Sequence, residues 1–200
     1  MTCRLKENFK CIFFPEKKLF AAKSQLRQIV KTAKKELNEA NKQAEAIAVF
    51  EKIEQTPEFQ QAKVILMYWS MSDELPTHNF VKKWSHHKTV LLPIVTQGKL
   101  IFRQFEGEEQ LQTGQLHLKE PSMGEDYQGK IDIAIMPGVA FDKRKNRLGR
   151  GKAYYDSYLS SRDIPHKWAV GFDLQLVKQV PTTKNDIKMD RIFTASNSVW

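Results

Sequence analysis

Six basic side chains crowd into one short stretch of the chain. In GVAFDKRKNRLGRGKAYYD, Gly138 to Asp156, the ten residues 143–152 hold six Lys and Arg and no acid. Gly149 and Gly151 lie among them. Backbone N–H groups of a glycine-containing turn at a helix N-terminus, together with charged donors such as Arg150, suit phosphate. The stretch therefore predicts a phosphate-binding loop, and the competing interpretation is a solvated surface loop.

The loop does not follow the Walker A pattern. Asn146 stands where that pattern requires its first glycine, and Ala153 follows Lys152 in place of Ser or Thr. If the loop binds phosphate, it does so as a loop of another kind.

The charge distribution is uneven along the chain. The net charge is +9, and residues 1–52 carry 12 Lys and Arg against 6 acids. The two basic clusters together exceed the net charge, so the rest of the chain is net acidic. Nucleic acid, a membrane surface or a small polyanionic substrate would each be attracted. Charge alone favours two solvated faces over one shared ligand site.

Length and cysteine content narrow the class. A chain of 200 residues fits one domain, which we place at residues 21–200, with residues 1–20 as a poorly constrained extension. Cys3 and Cys11 make neither a disulfide framework nor a zinc site, which favours a reducing compartment. No segment has the length of a signal-peptide core or a membrane span, so we expect a cytoplasmic protein without a membrane partner.

The hydrophobic pattern alternates between helical and strand periods. Helices are predicted over residues 23–37 and 43–53, from Thr56–Pro57, from a Thr77 cap through residue 84, and from residue 153. Strands are predicted over residues 62–70, 89–95, 99–105, 131–137, 166–172 and 191–195, with residues 106–129 as a long polar connection. Such interleaving indicates an α/β sheet with helices on its faces. Ligands of these sheets bind beyond the carboxyl ends of strands, which is where the basic block lies.

The whole string MPGVAFDKRKNRLGRGKAYYDSYL closely resembles the signature of the 5-formyltetrahydrofolate cyclo-ligase family, in which PGxAFD leads into RLGRGxGYYD. Looser agreement, through KSQLR, MSDELPT and NDIKMDRIFT, runs from about Lys23 to Thr194. The resemblance implies a three-layer α/β/α sandwich with a mostly parallel sheet, of the sugar-isomerase and CoA-transferase-like type.

The activity that the resemblance implies belongs to one-carbon metabolism. Enzymes of this family use MgATP to convert 5-formyltetrahydrofolate, polyglutamylated forms included, into 5,10-methenyltetrahydrofolate, ADP and phosphate. The formyl oxygen first takes the γ-phosphoryl group, giving an imidate phosphate, and N10 then closes the ring. Positioning and stabilisation of phosphoryl charge carry most of such catalysis. We expect a monomer that does not bind nucleic acid.

Site residues follow from the same resemblance. The ATP set is Lys23, Arg27, Arg147, Leu148, Gly149, Arg150, Gly151, Lys152, Ala153, Tyr154 and Tyr155. The folate set is Arg27, Trp69, Glu74, Arg150, Gly151, Lys152, Ala153 and Tyr154. Within these sets, Arg150 and Lys152 are expected to stabilise the transferred phosphoryl group. Two further residues, Asp156 and Asp186, are expected to hold Mg²⁺.

Each assignment has a plainer alternative. Lys23 and Arg27, four residues apart near a predicted helix start, would otherwise be a solvated helix face, and Trp69 a core aromatic. Glu74 would be a loop acid, Asp156 an ordinary helix residue and Asp186 a turn former. Two positions depart from the family pattern: Ala153 replaces a glycine and would be strained if its φ were positive, and Asn185 replaces a frequent histidine.

Two other functions stay open from the sequence. A nucleic-acid-binding protein could use the same basic clusters, although no aromatic residues interleave with the block as stacking platforms. A folate- or nucleotide-binding paralogue without catalysis is the other alternative, and it would bind ligand without releasing ADP.

Overall fold

A computed structural model of the chain describes residues 16–114 and 119–200. Cys3, Cys11 and the larger part of the predicted extension lie outside the described residues. The helices are α1 Glu16–Lys34, α2 Glu39–Glu54, α3 Pro57–Gln61, α4 His78–Ser85 and α5 Tyr154–Ser160. The strands are β1 Val64–Leu66, β2 Thr89–Thr96, β3 Lys99–Gln104, β4 Leu111–Thr113, β5 Lys119–Pro121, β6 Ile133–Met136, β7 Ala140–Asp142, β8 Arg147–Leu148, β9 His166–Val170, β10 Leu176–Val177, β11 Arg191–Phe193 and β12 Ser198–Val199.

A seven-stranded sheet forms the centre, in the order β12, β11, β9, β6, β1, β2, β3. Only the edge strands β3 and β12 run antiparallel to their neighbours. In the middle, Ile65 pairs with Val90 on one side and with Ile133 on the other, both in parallel register. Parallel strands that are covered on both faces read as continuous apolar runs, which is why the sequence predicted their presence. The extent of β1 was predicted wrongly, since it covers only Val64–Leu66 of the predicted residues 62–70.

Alternate residues of each central strand enter different cores. Ile133 and Ile135 of β6 pack with Phe50 and Phe59 from α2 and α3, whereas Met136 packs on the other face with Leu159 of α5. Helices therefore cover both faces of a mostly parallel sheet. The predicted three-layer α/β/α class is confirmed.

The strand order reverses at β1. The chain passes from β1 to β2 on one side, and later returns to β6 on the other side of β1. The connections that leave β1 and β6 therefore diverge. In open α/β sheets such a divergence opens a crevice at the carboxyl ends of the two strands, and ligands bind there.

The basic block is part of a second, three-stranded sheet, in the order β10, β7, β8. Strands β7 and β8 form a hairpin, with Phe141 opposite Arg147. The turn between them is organised by Asp142, which is fully buried. Its carboxylate accepts hydrogen bonds from the backbone N–H groups of Arg144, Asn146 and Val180 and from the Asn146 side chain, at 2.9–3.1 Å. The first residues of the basic block thus form a hairpin turn that the buried carboxylate of Asp142 stabilises.

Some sequence predictions about boundaries and caps were wrong. Helix α1 begins at Glu16, not at Lys23, so Lys23 and Arg27 lie in the middle of a helix and not near its start. The segment 106–129 contains the β4–β5 pair, although it was predicted as a connection only. Both strands are three residues long, too short to show a period.

Thr77 precedes α4 as predicted, but its side chain does not cap the helix. Its hydroxyl donates to the carbonyl of Tyr68 at 2.7 Å and accepts from the N–H of Ser70 at 3.0 Å. Buried backbone groups need hydrogen-bond partners, and the Thr77 hydroxyl serves Tyr68 and Ser70, in the segment after β1, in place of the first turn of α4. Thr77 therefore fixes the chain at the carboxyl end of β1.

Among the described residues, no helix is both long enough and apolar enough to cross a membrane.

We expect Asp142→Ala to lower the free energy of unfolding by about 3 kcal/mol, because it leaves several buried N–H groups without an acceptor. Chemical denaturation measures this change. Asp163→Ala, at an exposed acid, is the matched control and should stay within about 0.5 kcal/mol of the parent chain. Equal losses in the two variants would contradict the role of Asp142.

Candidate active site

A cavity of about 330 Å³ opens at the carboxyl ends of β1 and β6. Pro137 and Gly138, which follow β6, line it together with Tyr68, which follows β1. Ten residues that the sequence analysis nominated also line it: Trp69, Glu74, Arg147, Gly149, Arg150, Lys152, Ala153, Tyr154, Tyr155 and Asp156. Residues that are about eighty positions apart in the sequence therefore meet in one crevice.

Arg147 is the buried cation of the cavity, with its side chain only 3% exposed. One guanidinium nitrogen donates to Asp156 Oδ2 at 3.0 Å and another to the carbonyl of Pro137 at 3.3 Å. The guanidinium lies over the ring of Tyr155, 5.6 Å from its centre. Its buried Nε has no hydrogen-bond partner among the described residues. Burial at this depth is tolerated because a carboxylate is paired with the charge.

Arg150 bridges the basic loop to the loop that follows β1. Its Nε and Nη2 both donate to Glu74 Oε1 at 3.1 Å, and Nη2 also donates to Asp73 Oδ1 at 2.5 Å. Burial alone would lower the pKa of Arg150, but the two carboxylates outweigh it and raise this pKa. Burial would likewise raise the pKa of Asp73, yet Lys34 and Arg150 hold it below its usual value.

Helix α1 contributes two of the nominated cations from outside the cavity lining. Lys23 Nζ pairs with Asp186, 2.6 Å from Oδ2 and 2.8 Å from Oδ1. Arg27 Nε donates to the carbonyl of Gly149 at 2.9 Å. Gly151 has φ +109°, and a Cβ built on it would lie 3.5 Å from a nitrogen of Arg27. Lys23 thus contacts the segment around residue 186, and Arg27 contacts the basic loop. A solvated helix face would make neither contact.

The two nominated metal ligands flank one backbone segment. Asp156 Oδ1 accepts from the N–H of Ile187 at 3.1 Å, and Asp186 is the residue before it. Lys23 and Thr183 hold the pKa of Asp186 below its usual value, although burial acts in the opposite direction. No cluster of three or more acidic, His or Cys side chains suited to a metal occurs in residues 16–114 and 119–200. Two carboxylates are nevertheless a fitting donor set for Mg²⁺, which retains water and takes few protein ligands.

One nominated residue faces away from the cavity. The Leu148 side chain is 2% exposed and packs in a small core with Val30, Val139 and Val180. Its backbone pairs with Ala140 of β7. Leu148 is therefore a packing residue of the hairpin.

Two of the six cations in the basic block have counter-ions from outside the block. Arg147 and Arg150 are paired with Asp156, Asp73 and Glu74. Lys152 is exposed at the cavity and makes no ion pair with any residue that the structure describes. Among the three cations of the basic block that line the cavity, Lys152 is therefore the one most available to a ligand.

Comparison with known proteins identifies the family of the chain. A family model described as the 5-formyltetrahydrofolate cyclo-ligase family matches residues 20–195. The chain belongs to this family. Cyclo-ligases are ligase enzymes, and the chain is an enzyme of this kind.

Individual relatives agree with the family match. A probable 5-formyltetrahydrofolate cyclo-ligase of Caenorhabditis elegans is 27% identical, with 88% of this chain and 94% of the relative covered. The 5-formyltetrahydrofolate cyclo-ligase of Escherichia coli strain K12 is 30% identical over 72% of this chain and 84% of its own length. The solution structure of Aquifex aeolicus 5,10-methenyltetrahydrofolate synthetase is 28% identical, with a TM-score of 0.80 over 88% of this chain and 91% of that one.

Several residues of the cyclo-ligase cavity escaped the sequence analysis. Pro93, Val95 and Leu100 of the β2–β3 hairpin form an apolar side, and Lys119 lies at the same cavity. Their residue types carry no chemical signature, so only the tertiary fold reveals them. Tyr68 could have been found, since it precedes Trp69 at the end of a predicted strand. Burial raises its pKa far above the usual value, as burial also does for Tyr155.

Ala153, the departure from the cyclo-ligase signature, adopts φ 55° and ψ 16°. This is the left-handed region, so the condition under which alanine would be strained is met. Ala153 occupies the N-cap position of α5 and lines the cavity. The chain therefore retains the backbone conformation that suits a glycine while carrying a methyl group there.

We expect Ala153→Gly to raise the free energy of unfolding by about 1 kcal/mol, because glycine relieves the left-handed strain. Thermal or chemical denaturation measures the change. Ala21→Gly, in the middle of α1, is the control with the opposite sign and should cost about 1 kcal/mol. A loss of stability in Ala153→Gly would argue against strain at this position.

Proposed function

We propose that the protein catalyses the ATP- and Mg²⁺-dependent cyclisation of 5-formyltetrahydrofolate to 5,10-methenyltetrahydrofolate, with release of ADP and phosphate. Membership of the cyclo-ligase family supports the reaction class. The single observation that carries the proposal is that eight of the ten residues from Arg147 to Asp156 line one cavity together with Glu74, at the point where the strand order reverses.

The two sides of the cavity suit the two halves of the reaction. Trp69 and the apolar residues of β2 and β3 offer a surface for the aromatic folate, with Glu74 as an acceptor for pterin N–H groups. Arg150 and Lys152 offer charged donors to phosphoryl oxygens. Arg27, which donates to the carbonyl of Gly149, and Lys23, one turn away on the same helix, extend the cationic side toward the remaining phosphates.

In the proposed reaction the formyl oxygen attacks the γ-phosphorus of ATP, and the bond to the leaving ADP oxygen breaks. N10 then attacks the activated formyl carbon and gives up its proton, and the carbon–oxygen bond to phosphate breaks. Arg150 and Lys152 stabilise charge on the transferred phosphoryl group. The protein needs no nucleophile of its own in this scheme.

Asp156 and Asp186 are the proposed Mg²⁺ ligands, through carboxylate lone pairs that remain beside their present hydrogen bonds. The ion would neutralise charge on the nucleotide phosphates. A monomer is the proposed active form.

The nucleic-acid alternative has less support from the same geometry. Arg147 is paired with Asp156, and Arg150 is paired with Asp73, so these two cations do not form an exposed basic stripe. A phosphate-tracking surface would require such a stripe.

The proposal is tested by following the near-ultraviolet absorbance of methenyltetrahydrofolate formed from 5-formyltetrahydrofolate, with and without MgATP. We expect product only with MgATP, in step with ADP release. Folded protein that binds folate or ATP but forms no product would indicate the non-catalytic paralogue instead.

Lys152→Ala should reduce kcat to below about 1% of the parent value, because it removes a donor to the transferred phosphoryl group. Lys143→Ala removes an exposed cation of the same block outside the cavity lining and should leave kcat unchanged. Near-normal turnover in Lys152→Ala would remove Lys152 from the mechanism.

Asp186→Asn should raise the Mg²⁺ concentration needed for half-maximal rate by about tenfold or more. Lys23→Met separates this effect from loss of the Lys23–Asp186 pair, since it keeps the carboxylate and should not raise the Mg²⁺ requirement. Superimposable Mg²⁺ titrations of Asp186→Asn and the parent chain would count against a metal role.

A further inference from the structure

Asp73 contacts the proposed catalytic machinery without lining the cavity. Its Oδ1 accepts from Arg150 Nη2 at 2.5 Å, while its neighbour Glu74 presents Oε1 to the same guanidinium. The two carboxylates therefore hold one cation from two sides. Glu74 lines the cavity, so only Asp73 is removed from the space where folate would lie.

Asp73 is itself fixed by a buried lysine. Lys34, in the last turn of α1, is 8% exposed. Its ammonium group donates to the backbone carbonyl of Asp73 at 2.5 Å and to Asp73 Oδ2 at 2.9 Å. A buried ammonium group is costly unless it is paired and hydrogen-bonded, so these contacts restrict Asp73 to one position. Oδ1 is left pointing to Arg150.

Glu74 cannot serve Arg150 and a substrate equally well. Its Oε2 accepts once, from the N–H of Met71 at 3.0 Å, and its Oε1 accepts twice from Arg150, so only one of about four lone-pair positions remains. A pterin that presents two N–H groups to Glu74 would therefore displace a contact with Arg150. In the proposed function Glu74 binds the pterin, and its hold on Arg150 then weakens. Asp73 has no such competing task.

We propose that Asp73, held by Lys34, is a positioning residue that keeps the Arg150 guanidinium at the cavity while Glu74 engages the substrate. This inference rests on the proposed function, because it assigns Arg150 to the transferred phosphoryl group and Glu74 to folate. It adds two residues, Asp73 and Lys34, to the site.

An exposed ion pair alone would carry no such role. The side chains of Arg150 and Asp73 are 46% and 42% exposed, and pairs of this kind contribute little to stability. What distinguishes this pair is the buried anchor on its far side. Burial would raise the pKa of Asp73, but hydrogen bonds from Lys34 and Arg150 lower it, so the carboxylate stays charged near neutral pH.

A kinetic cycle provides the first test. Asp73→Ala, and its isosteric counterpart Asp73→Asn, should lower kcat about 10- to 100-fold with little change in KM for 5-formyltetrahydrofolate, because they remove a charge-assisted hydrogen bond to Arg150. Placed in an Arg150→Gln chain, the same changes should have almost no further effect, since Asp73 acts through Arg150. Lys34→Met should follow Asp73→Asn.

Lys42→Met is the matched control. Lys42 contacts the carbonyl of Ser72 in the same loop at 2.9 Å but does not reach Arg150, so kcat should be unchanged. The proposal would be overturned if Asp73→Ala lowered kcat by the same factor in the parent chain and in the Arg150→Gln chain, or if it raised only KM.

A second readout does not depend on turnover or on ligand. The ¹⁵N NMR signal of the Arg150 Nη2 group, the atom that donates to Asp73, is identified by its loss in Arg150→Gln and reports whether the guanidinium is held. Glu74→Gln imitates a Glu74 whose charge is engaged elsewhere, and we expect the signal to persist in it. Adding Asp73→Ala should abolish the signal.

Persistence of the signal in the Glu74→Gln, Asp73→Ala double variant would overturn the positioning role even if the enzyme is active. Loss of the signal in a protein that forms no methenyltetrahydrofolate would leave the positioning role intact and contradict the proposed function instead.

Discussion

The site depends on ion pairs between the cations of the basic block and carboxylates that lie outside that block. Arg147 is buried against Asp156, and Arg150 lies between Asp73 and Glu74. Desolvating a guanidinium is costly without a partner, and like charges within a few ångströms repel. The loop can therefore fold only where other segments deliver negative charge, and this requirement ties it to α5 and to the connection after β1.

The sheet satisfies that requirement through its topology. Because the strand order reverses at β1, the connection after β1 and the segment after β6 approach the crevice from opposite sides. Thr77 fixes the first connection by bonding Tyr68 and Ser70, and Asp142 fixes the second by gathering the N–H groups of the hairpin turn. The positions of Glu74 and Arg150 are thus set by buried hydrogen bonds that have no direct part in the chemistry.

The sequence predicted the central sheet because its strands are buried on both faces and read as long apolar runs such as AKVILMYWS. It also nominated residues of the signature that line the cavity, and it marked Ala153 as a position that would be strained if its φ were positive, since residue type and motif carry that information. It did not predict β7, β8 and β10, because strands of two or three residues show no periodicity. It missed the counter-ions as well: Arg150 and Glu74 are 76 positions apart, and no local pattern links them.

Helix α1 gives the site a mechanical property that none of its loops has. Lys23, Arg27 and Lys34 lie on one stripe of a single helix, and they contact Asp186, the carbonyl of Gly149 and Asp73 in turn. Lys23 and Lys34 are about 16 Å apart along the axis, and an α-helix of this length behaves as a stiff rod. A tilt or slide of this rod would displace all three contacts together. The position of Asp186 and the position of Asp73, the counter-ion of Arg150, are therefore linked through one helix.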